Sequence, residues 1–235
     1  MIDVIIPAYN CNPQTFKKCI ESIAEQTIYD QIQITVIDDC SQDTSFLDIL
    51  INYPEVKVYR MPENSGPGCA RAQGIINTSN EYIVFVDSDD TLHEPQSLEK
   101  LLTGLLEFPS NVMCYSRFNQ IIDPEEENFI INHLECETAW VFGKIYKREF
   151  LKKNNITFPS VYSWANEDNG FNALCVFCVG NNESIGFISD VTYNWIENKN
   201  SLTHQPNYHY GKGLIGYVEN VKWALSQVFN PEDER

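Results

Sequence analysis

Basic residues are scarce in this chain. Sixteen lysines and arginines face 33 aspartates and glutamates across 235 residues, giving a formal net charge of −17. A field of that sign repels phosphate backbones and offers no polybasic face to an anionic bilayer, which excludes nucleic acid as a partner. Long apolar runs are missing as well. None approaches the ~20 residues that a membrane-spanning helix requires, so no integral membrane segment is expected. The opening Met1-Ile2-Asp3-Val4 lacks a basic stretch and carries an acid at its third position, unlike a secretory signal. Internal repeats and low-complexity linkers are also absent. What is present is core material: 43% hydrophobic residues and 12% aromatics, in a length that one large domain can hold. Eight cysteines (Cys11, Cys19, Cys40, Cys69, Cys114, Cys136, Cys175, Cys178) are scattered through a chain too large to need staples, and they read as reduced thiols of a cytoplasmic protein.

Residues 2–110 alternate between short β-branched runs and helical patterns. Residues 2–6, 32–37, 56–59 and 82–86 read as buried strands, being continuous apolar runs bounded by polar or turn residues. Phe16, Ile20, Ile23 and Ala24 share a helical face between the first two, with Pro13 just inside the start. Such alternation predicts an α/β fold with a mostly parallel sheet flanked by helices, and function at the carboxyl ends of the strands. Beyond residue 110 the pattern loosens. Residues 112–118, 129–132 and 139–142 read as antiparallel strands, a helix is expected after Asp168, and Leu214, Val218, Val221, Leu225 and Val228 mark another over 214–228. The acidic run 123–127 and the basic run 144–153 read as solvated surface.

The loops at the strand ends carry the chemistry. Asp87-Ser88-Asp89 follows the fourth strand, where residues two apart project to one side and two carboxylates can converge on a hard cation such as Mg²⁺ or Mn²⁺. A helix cap with an Asx turn is the structural alternative. Asp38 and Asp39, after the second strand, are caps or acceptors for a base or ribose. The Gly66-Pro67-Gly68 turn allows close backbone approach, and Arg71, one helical turn on, is a structural ion pair or an anion contact.

Taken in order, these segments resemble family 2 glycosyltransferases. The resemblance is carried by Val4-Ile5-Ile6-Pro7-Ala8-Tyr9-Asn10, Cys19-Ile20-Glu21-Ser22-Ile23, Gln26-Thr27 and Val36-Ile37-Asp38-Asp39. It continues through Asn64-x-Gly66, Ala70-Arg71-x-x-Gly74 and Phe85-Val86-Asp87-Ser88-Asp89-Asp90, closely over about residues 3–95. More loosely, Phe142 to Leu151 and Asn166-Glu167-Asp168-Asn169 are similar to the acceptor half of that family.

The resemblance implies a GT-A fold, a Rossmann-like mostly parallel sheet with a smaller antiparallel acceptor-side part. It implies one domain over 1–235, with the nucleotide sugar on about 1–110 and the acceptor on about 111–235. The activity implied is metal-dependent, inverting transfer from a nucleotide sugar, most often a UDP-sugar, to a glycan or lipid-linked acceptor. Pro7, Ala8, Tyr9, Asn10, Asp39, Asn64, Gly66, Arg71, Asp87 and Ser88 would contact the donor. Asp87 and Asp89, with His204 from Asn200-Ser201-Leu202-Thr203-His204, would hold the divalent metal. Asp168 would be the general base, with its neighbour Glu167 the other candidate. A sugar hydroxyl is a poor nucleophile, so a carboxylate must take its proton while a metal steadies the departing diphosphate. The short chain suggests a peripheral contact with the inner membrane face or a partner subunit, and the oligomeric state is not legible.

Other patterns carry less. Gly211-Lys212-Gly213-Leu214-Ile215-Gly216 matches G-x-G-x-x-G but follows no strand and leaves nineteen residues, too few for a dinucleotide unit. Cys175-x-x-Cys178 lies on an apolar helix face and reads as core. A catalytically silent sugar-nucleotide-binding module on the same fold is the alternative, and a nucleotidyltransferase would want a glycine-rich basic loop where Pro7-Ala8-Tyr9-Asn10 stands.

Overall fold

The computed structural model describes residues 1–122, 139–160, 162, 165–197, 211 and 213–229, and the backbone of 130–133. The strands are β1 (Ile2–Ala8), β2 (Ile32–Asp38), β3 (Lys57–Arg60), β4 (Tyr82–Phe85), β5 (Thr91–Leu92), β6 (Asn111–Ile121), β7 (Ile130–His133), β8 (Lys144–Lys147) and β9 (Ser184–Ile196). They form one sheet in the order β3-β2-β1-β4-β8-β6-β9-β5, with β7 attached to β6. The first four run parallel, Val4 sitting between Ile34 and Val84, so their carboxyl ends share one rim.

Helices cover both faces because the strand side chains alternate between two cores. Val4, Ile6, Ile34, Val36, Val84 and Val86 point to one side and pack with α1 (Pro13–Ala24) and α3 (Ser97–Leu106). Ile5, Ile37, Ile83 and Phe85 point to the other. There they meet α2 (Pro67–Asn77), α4 (Arg148–Lys153), α5 (Glu167–Phe177) and α6 (Gly213–Val228). Local sequence starts these helices. Asn12 accepts from the backbone N–H groups of Gln14 and Thr15, with Pro13 in the first turn, and α1 then buries Phe16, Cys19, Ile20 and Ile23. Gly66, at φ +90°, leads into Pro67 and α2. At the pole opposite the rim, Arg148 donates to Asp3 (2.8 Å), to Asn80 O (2.6 Å) and to Ile75 O (2.8 Å), pinning α4 to the start of β1 and the end of α2.

Several expectations are corrected. The run 56–59 is not a buried strand: β3 is the sheet's edge, and Val58 is 42% exposed. Residues 139–142 form no strand, because Trp140 and Gly143 both turn through positive φ, at +42° and +63°; the strand starts at Lys144 instead. The second half is not simply antiparallel, since β6 runs antiparallel to β7 and β8 but parallel to β9. Lys144 is not surface but 3% exposed. Helix α6 forms as expected, yet it buries Gly213, Gly216, Asn220 and Ala224 against α5 and turns Leu214, Val218 and Leu225 outward. The close approach is set by small residues: a Cβ at Gly216 would strike the backbone of Ala165. No helix among the described residues is long and apolar enough to cross a membrane.

Candidate functional site

Four loops leave the rim and bind one another. After β1, Asn10 takes a left-handed conformation (φ +46°) that Asn tolerates. Its amide N–H donates to Ser41 Oγ at 2.9 Å, and its Oδ1 accepts from Gln42 N at 2.8 Å. After β2, Asp39 accepts from the N–H groups of Ser65 and Gly66, both at 2.8 Å, so the second loop carries the third. After β4, Ser88 accepts from Cys11 Sγ at 3.2 Å, joining the fourth loop to the first.

Most of the residues expected from the sequence fall within this frame. Pro7 and Ala8 are the last, buried residues of β1, while Tyr9 presents a ring that is 44% exposed. Asp38, read as a cap or an acceptor, is used structurally: it accepts from Ser41 N at 2.9 Å and pairs with Arg60. Asp39 keeps lone pairs beyond its two backbone donors, and burial raises its carboxyl above the ordinary range against those donors. Asn64 Oδ1 is buried and finds no hydrogen-bond partner among the described residues, an acceptor left for an incoming N–H or O–H. Gly66 puts backbone at the same edge. His204, the whole of Asn200 to His204, and His209 lie outside the described residues.

Strand β4 stops at Phe85, so Asp87-Ser88-Asp89 is not extended as the alternation argument assumed. It is a tight turn closed by Asp90 N donating to Asp87 O at 3.1 Å. Asp87, Ser88 and Asp89 are half-buried, whereas Asp90 is 1% exposed. Asp90 is spent internally: it accepts from the Tyr193 hydroxyl (2.7 Å) and from Ile196 N (2.7 Å). Tyr193 in turn accepts from Asp87 N at 3.0 Å, so β9 sets the backbone of the turn. Burial first, then the charges of Asp89 and Asp87, push the Asp90 carboxyl well up. Tyr193 escaped the sequence reading. Its strand, with Ile185, Phe187, Val191, Thr192, Tyr193 and Trp195, carries a β-branched and aromatic signal that could have been found; its partnership with Asp90, 103 residues away, could not.

Arg71 occupies the centre. It is 5% exposed, donates from Nη2 to Asp87 Oδ1 at 2.6 Å and from Nη1 to Glu167 Oε1 at 2.7 Å, and lies 5.8 Å over the Phe158 ring. One guanidinium thus ties the turn after β4 to the first turn of α5. Asn166, the residue before that helix, stands at φ +54° and donates from Nδ2 to Gly213 O at 2.7 Å. Asp168 follows, half-buried, accepting from its neighbour's Asn169 N at 2.9 Å. One cation shared by three carboxylates cannot neutralise them all. Glu167 is accordingly pushed up to about 7, by burial above all and by the Asp168 charge, with Arg71 opposing. Asp168 is raised too, by burial first, and held down by Arg71 and the Asn169 N–H.

The donor set fits a hard divalent cation. Asp87 has a second carboxylate oxygen beyond its Arg71 bond and Asp89 stands two residues on in the same turn, whereas Asp90 is 1% exposed and turned inward to Tyr193 and Ile196 N. Among the described residues no group of three His, Cys, Asp or Glu side chains could hold a metal. Two carboxylates would leave the remaining positions of a Mg²⁺ or Mn²⁺ shell to water or ligand oxygens.

Comparison with known proteins shows the family and the fold. The sequence model of a family described as Glycosyl transferase family 2 matches residues 3–173. Glycosyltransferase GlyA of Streptococcus pneumoniae is 28% identical over 244 residues, covering 97% of this chain and 33% of its own. Poly(ribitol-phosphate) beta-glucosyltransferase of Bacillus spizizenii is 31% identical over 173 residues, covering 68% of this chain and 27% of its own. The chain therefore spans about a third or less of these two relatives. Among solved structures, S. aureus TarS 1–349 in complex with UDP-GlcNAc has a TM-score of 0.76 at 21% identity, covering 97% of this chain and 66% of that one. That likeness shows the fold, which is of the GT-A type.

Proposed function

Because the chain belongs to glycosyl transferase family 2, we propose that it moves a sugar from a UDP-sugar donor to a hydroxyl of a glycan or lipid-linked acceptor with inversion. In this reading the domain is single, residues 1–110 holding the donor and 111–235 the acceptor. The observation that carries it is the Arg71 bridge, which sets the carboxylate turn of the first half beside the helix start bearing Asp168 in the second.

Each residue then has a task. Asp39 and Asn64 Oδ1 accept hydrogen bonds from the base and ribose, and the backbone of Pro7 to Asn10 and Gly66 shapes the nucleoside slot. Asp87 and Asp89 would hold the divalent cation; when bound, it supplies Lewis-acid stabilisation of the departing diphosphate. Arg71 keeps Asp87 pointed inward and adds positive charge behind the diphosphate. Asp168 accepts the acceptor's hydroxyl proton as the new oxygen–carbon bond forms and the old bond leaves with its electron pair on UDP. Glu167 is committed to Arg71, which favours Asp168 as the base. A cytoplasmic location, with peripheral contact to the inner membrane face, belongs to the same proposal; the seven described cysteines are all free thiols, in keeping with a reducing compartment.

UDP release from a panel of UDP-sugars with Mn²⁺ tests the proposal. Turnover by the wild-type chain, with Asp168→Asn retaining UDP binding and losing turnover, is the expected result. Metal-dependent UDP binding without hydrolysis or transfer from any donor would make the chain a silent binding module, and retained transfer by Asp168→Asn would remove the base assignment.

A further inference from the structure

Helix α6 has two apolar faces, and only one of them is covered. The face toward α5 is made of small residues, with Gly213, Gly216, Asn220 and Ala224 buried. Asn220 locks it in place, its Nδ2 donating to Ala165 O at 2.9 Å. Turned from that face by roughly 120°, at about 100° of rotation per residue, stand Leu214, Val218, Val221, Leu225 and Val228. They recur at alternating intervals of four and three residues, the a/d spacing of a coiled-coil seam. Val221 is half-buried, while the other four are between 38% and 64% exposed. Tyr217 and Phe229 widen the stripe, and both are exposed.

Single apolar side chains in water are ordinary, but a contiguous stripe is not. At these exposures it leaves roughly 600 Å² of mostly apolar surface uncovered, the upper end of what a soluble monomer shows on its largest patch.

Charge and area point to the occupant. A helix that lies in a membrane surface is rich in lysine and arginine along its polar flank. Helix α6 instead carries one lysine and one glutamate, Lys222 and Glu219, joined at 2.8 Å, in a chain of net charge −17. Both lie on the same flank of the stripe. A second copy placed antiparallel across a two-fold axis layers Leu214 on Leu225 and Val218 on Val221, each way round. The same axis sets Lys222 within one helical turn of Glu219 of the second copy, so that the stripe is self-complementary in charge as well as in shape. Covering both stripes removes roughly 1,200 Å² from water, the lower end of the range for specific interfaces. Because α6 is already folded against α5, association carries no cost of forming the helix.

We propose that α6 is a homodimerisation helix, two copies of the chain pairing antiparallel through the Leu214–Val228 stripe. The inference is independent of the transfer reaction and of the donor site.

Sedimentation velocity of the whole chain over about 1–200 µM, at about 0.15 M salt to screen the repulsion between two acidic copies, tests it. A monomer–dimer equilibrium with a Kd on the order of 10 µM is expected from an interface of this size. Leu214→Glu and Leu225→Glu each place a carboxylate in the seam of both copies and should leave the chain monomeric throughout. Both sites are exposed, and an unchanged melting transition in either variant shows that the fold persists. Glu219→Lys should weaken the dimer about fivefold, and combining it with Lys222→Glu should restore it. A wild-type chain that stays monomeric over the whole range, or a dimer that survives both glutamate substitutions, would overturn the proposal. A charge exchange that fails to restore the dimer would overturn the antiparallel pairing. Monomeric chain that co-sediments with phosphatidylcholine vesicles, and loses this in Leu225→Glu, would assign the stripe to a membrane surface instead.

Discussion

Arg71 and Glu167 stand 96 positions apart in the sequence and 2.7 Å apart in space. The same guanidinium reaches Asp87, so a single side chain joins the two loops that a transfer reaction must bring together. Because all three groups are buried or half-buried, the bridge is specific but expensive to break. Arg71→Met leaves two carboxylates without their cation and should destabilise the chain by ~3–5 kcal/mol in urea denaturation. Adding Glu167→Gln should recover part of that loss, since one uncompensated charge is removed.

Glu167 also predicts a pH dependence of stability. Its carboxyl is raised to about 7 in the fold, above the ~4.3 of an unfolded glutamate. The folded state therefore binds this proton more tightly. Its contribution is complete below the unfolded value and is lost as pH rises through about 7. Thermal denaturation between pH 5 and pH 8 should show the wild-type chain losing stability toward the alkaline end, and Glu167→Gln should flatten that slope.

Catalysis should depend on pH in the opposite sense. As the proposed base, Asp168 must be ionised to accept a proton, and burial lifts its carboxyl above the ordinary aspartate range. The acid limb of the rate profile should therefore lie above that of an exposed aspartate. Arg71 holds Asp168 down, so Arg71→Met should move the limb further toward neutral pH in whatever folded fraction remains.

Tyr193→Phe removes one hydroxyl that serves two partners. It leaves a buried Asp90 oxygen without its donor and Asp87 N without its acceptor. A cost of ~1–3 kcal/mol in stability is expected. The same change should weaken metal-dependent UDP binding, measured by calorimetry, because the backbone of the carboxylate turn is no longer fixed.

Gly74 tests how α2 is seated. A Cβ there would overlap Ile5 Cγ2 at the centre of the contact between α2 and β1. Gly74→Ala should cost ~1–3 kcal/mol, whereas Gly211→Ala, where a Cβ meets nothing within 4 Å among the described residues, should change little by the same denaturation measurement.

The first half of the fold was legible because its signals are local. Continuous apolar runs marked β1, β2 and β4, and Pro13 marked the start of α1. The run at 56–59 was misjudged as buried because an apolar pattern does not say that a strand will lie at the sheet's edge. Residues 139–142 have strand composition, yet their conformation is held by Lys144 and by Asn172, whose bond to Trp140 O exists only once α5 has docked. Helix α6 was found by its Leu214–Val218–Leu225 stripe but packs through its small residues, because close approach to Ala165 and α5 outweighs the larger side chains. At the site, the acidic residues announced themselves, while the Arg71 bridge and the Asp90–Tyr193 bond join positions too distant for spacing to reveal.

Asp87 and Asp89 are proposed to bind a nucleotide diphosphate through a divalent cation, within a chain whose net charge of −17 would otherwise repel it. Calorimetric titration of UDP into the wild-type chain and into Asp89→Ala, each with Mn²⁺ and with EDTA, tests it most directly. The account predicts tight binding by the wild-type chain with Mn²⁺ alone, and loss of that metal-dependent part in Asp89→Ala. Equal UDP affinity with Mn²⁺ and with EDTA, or unaltered binding by Asp89→Ala, would contradict it.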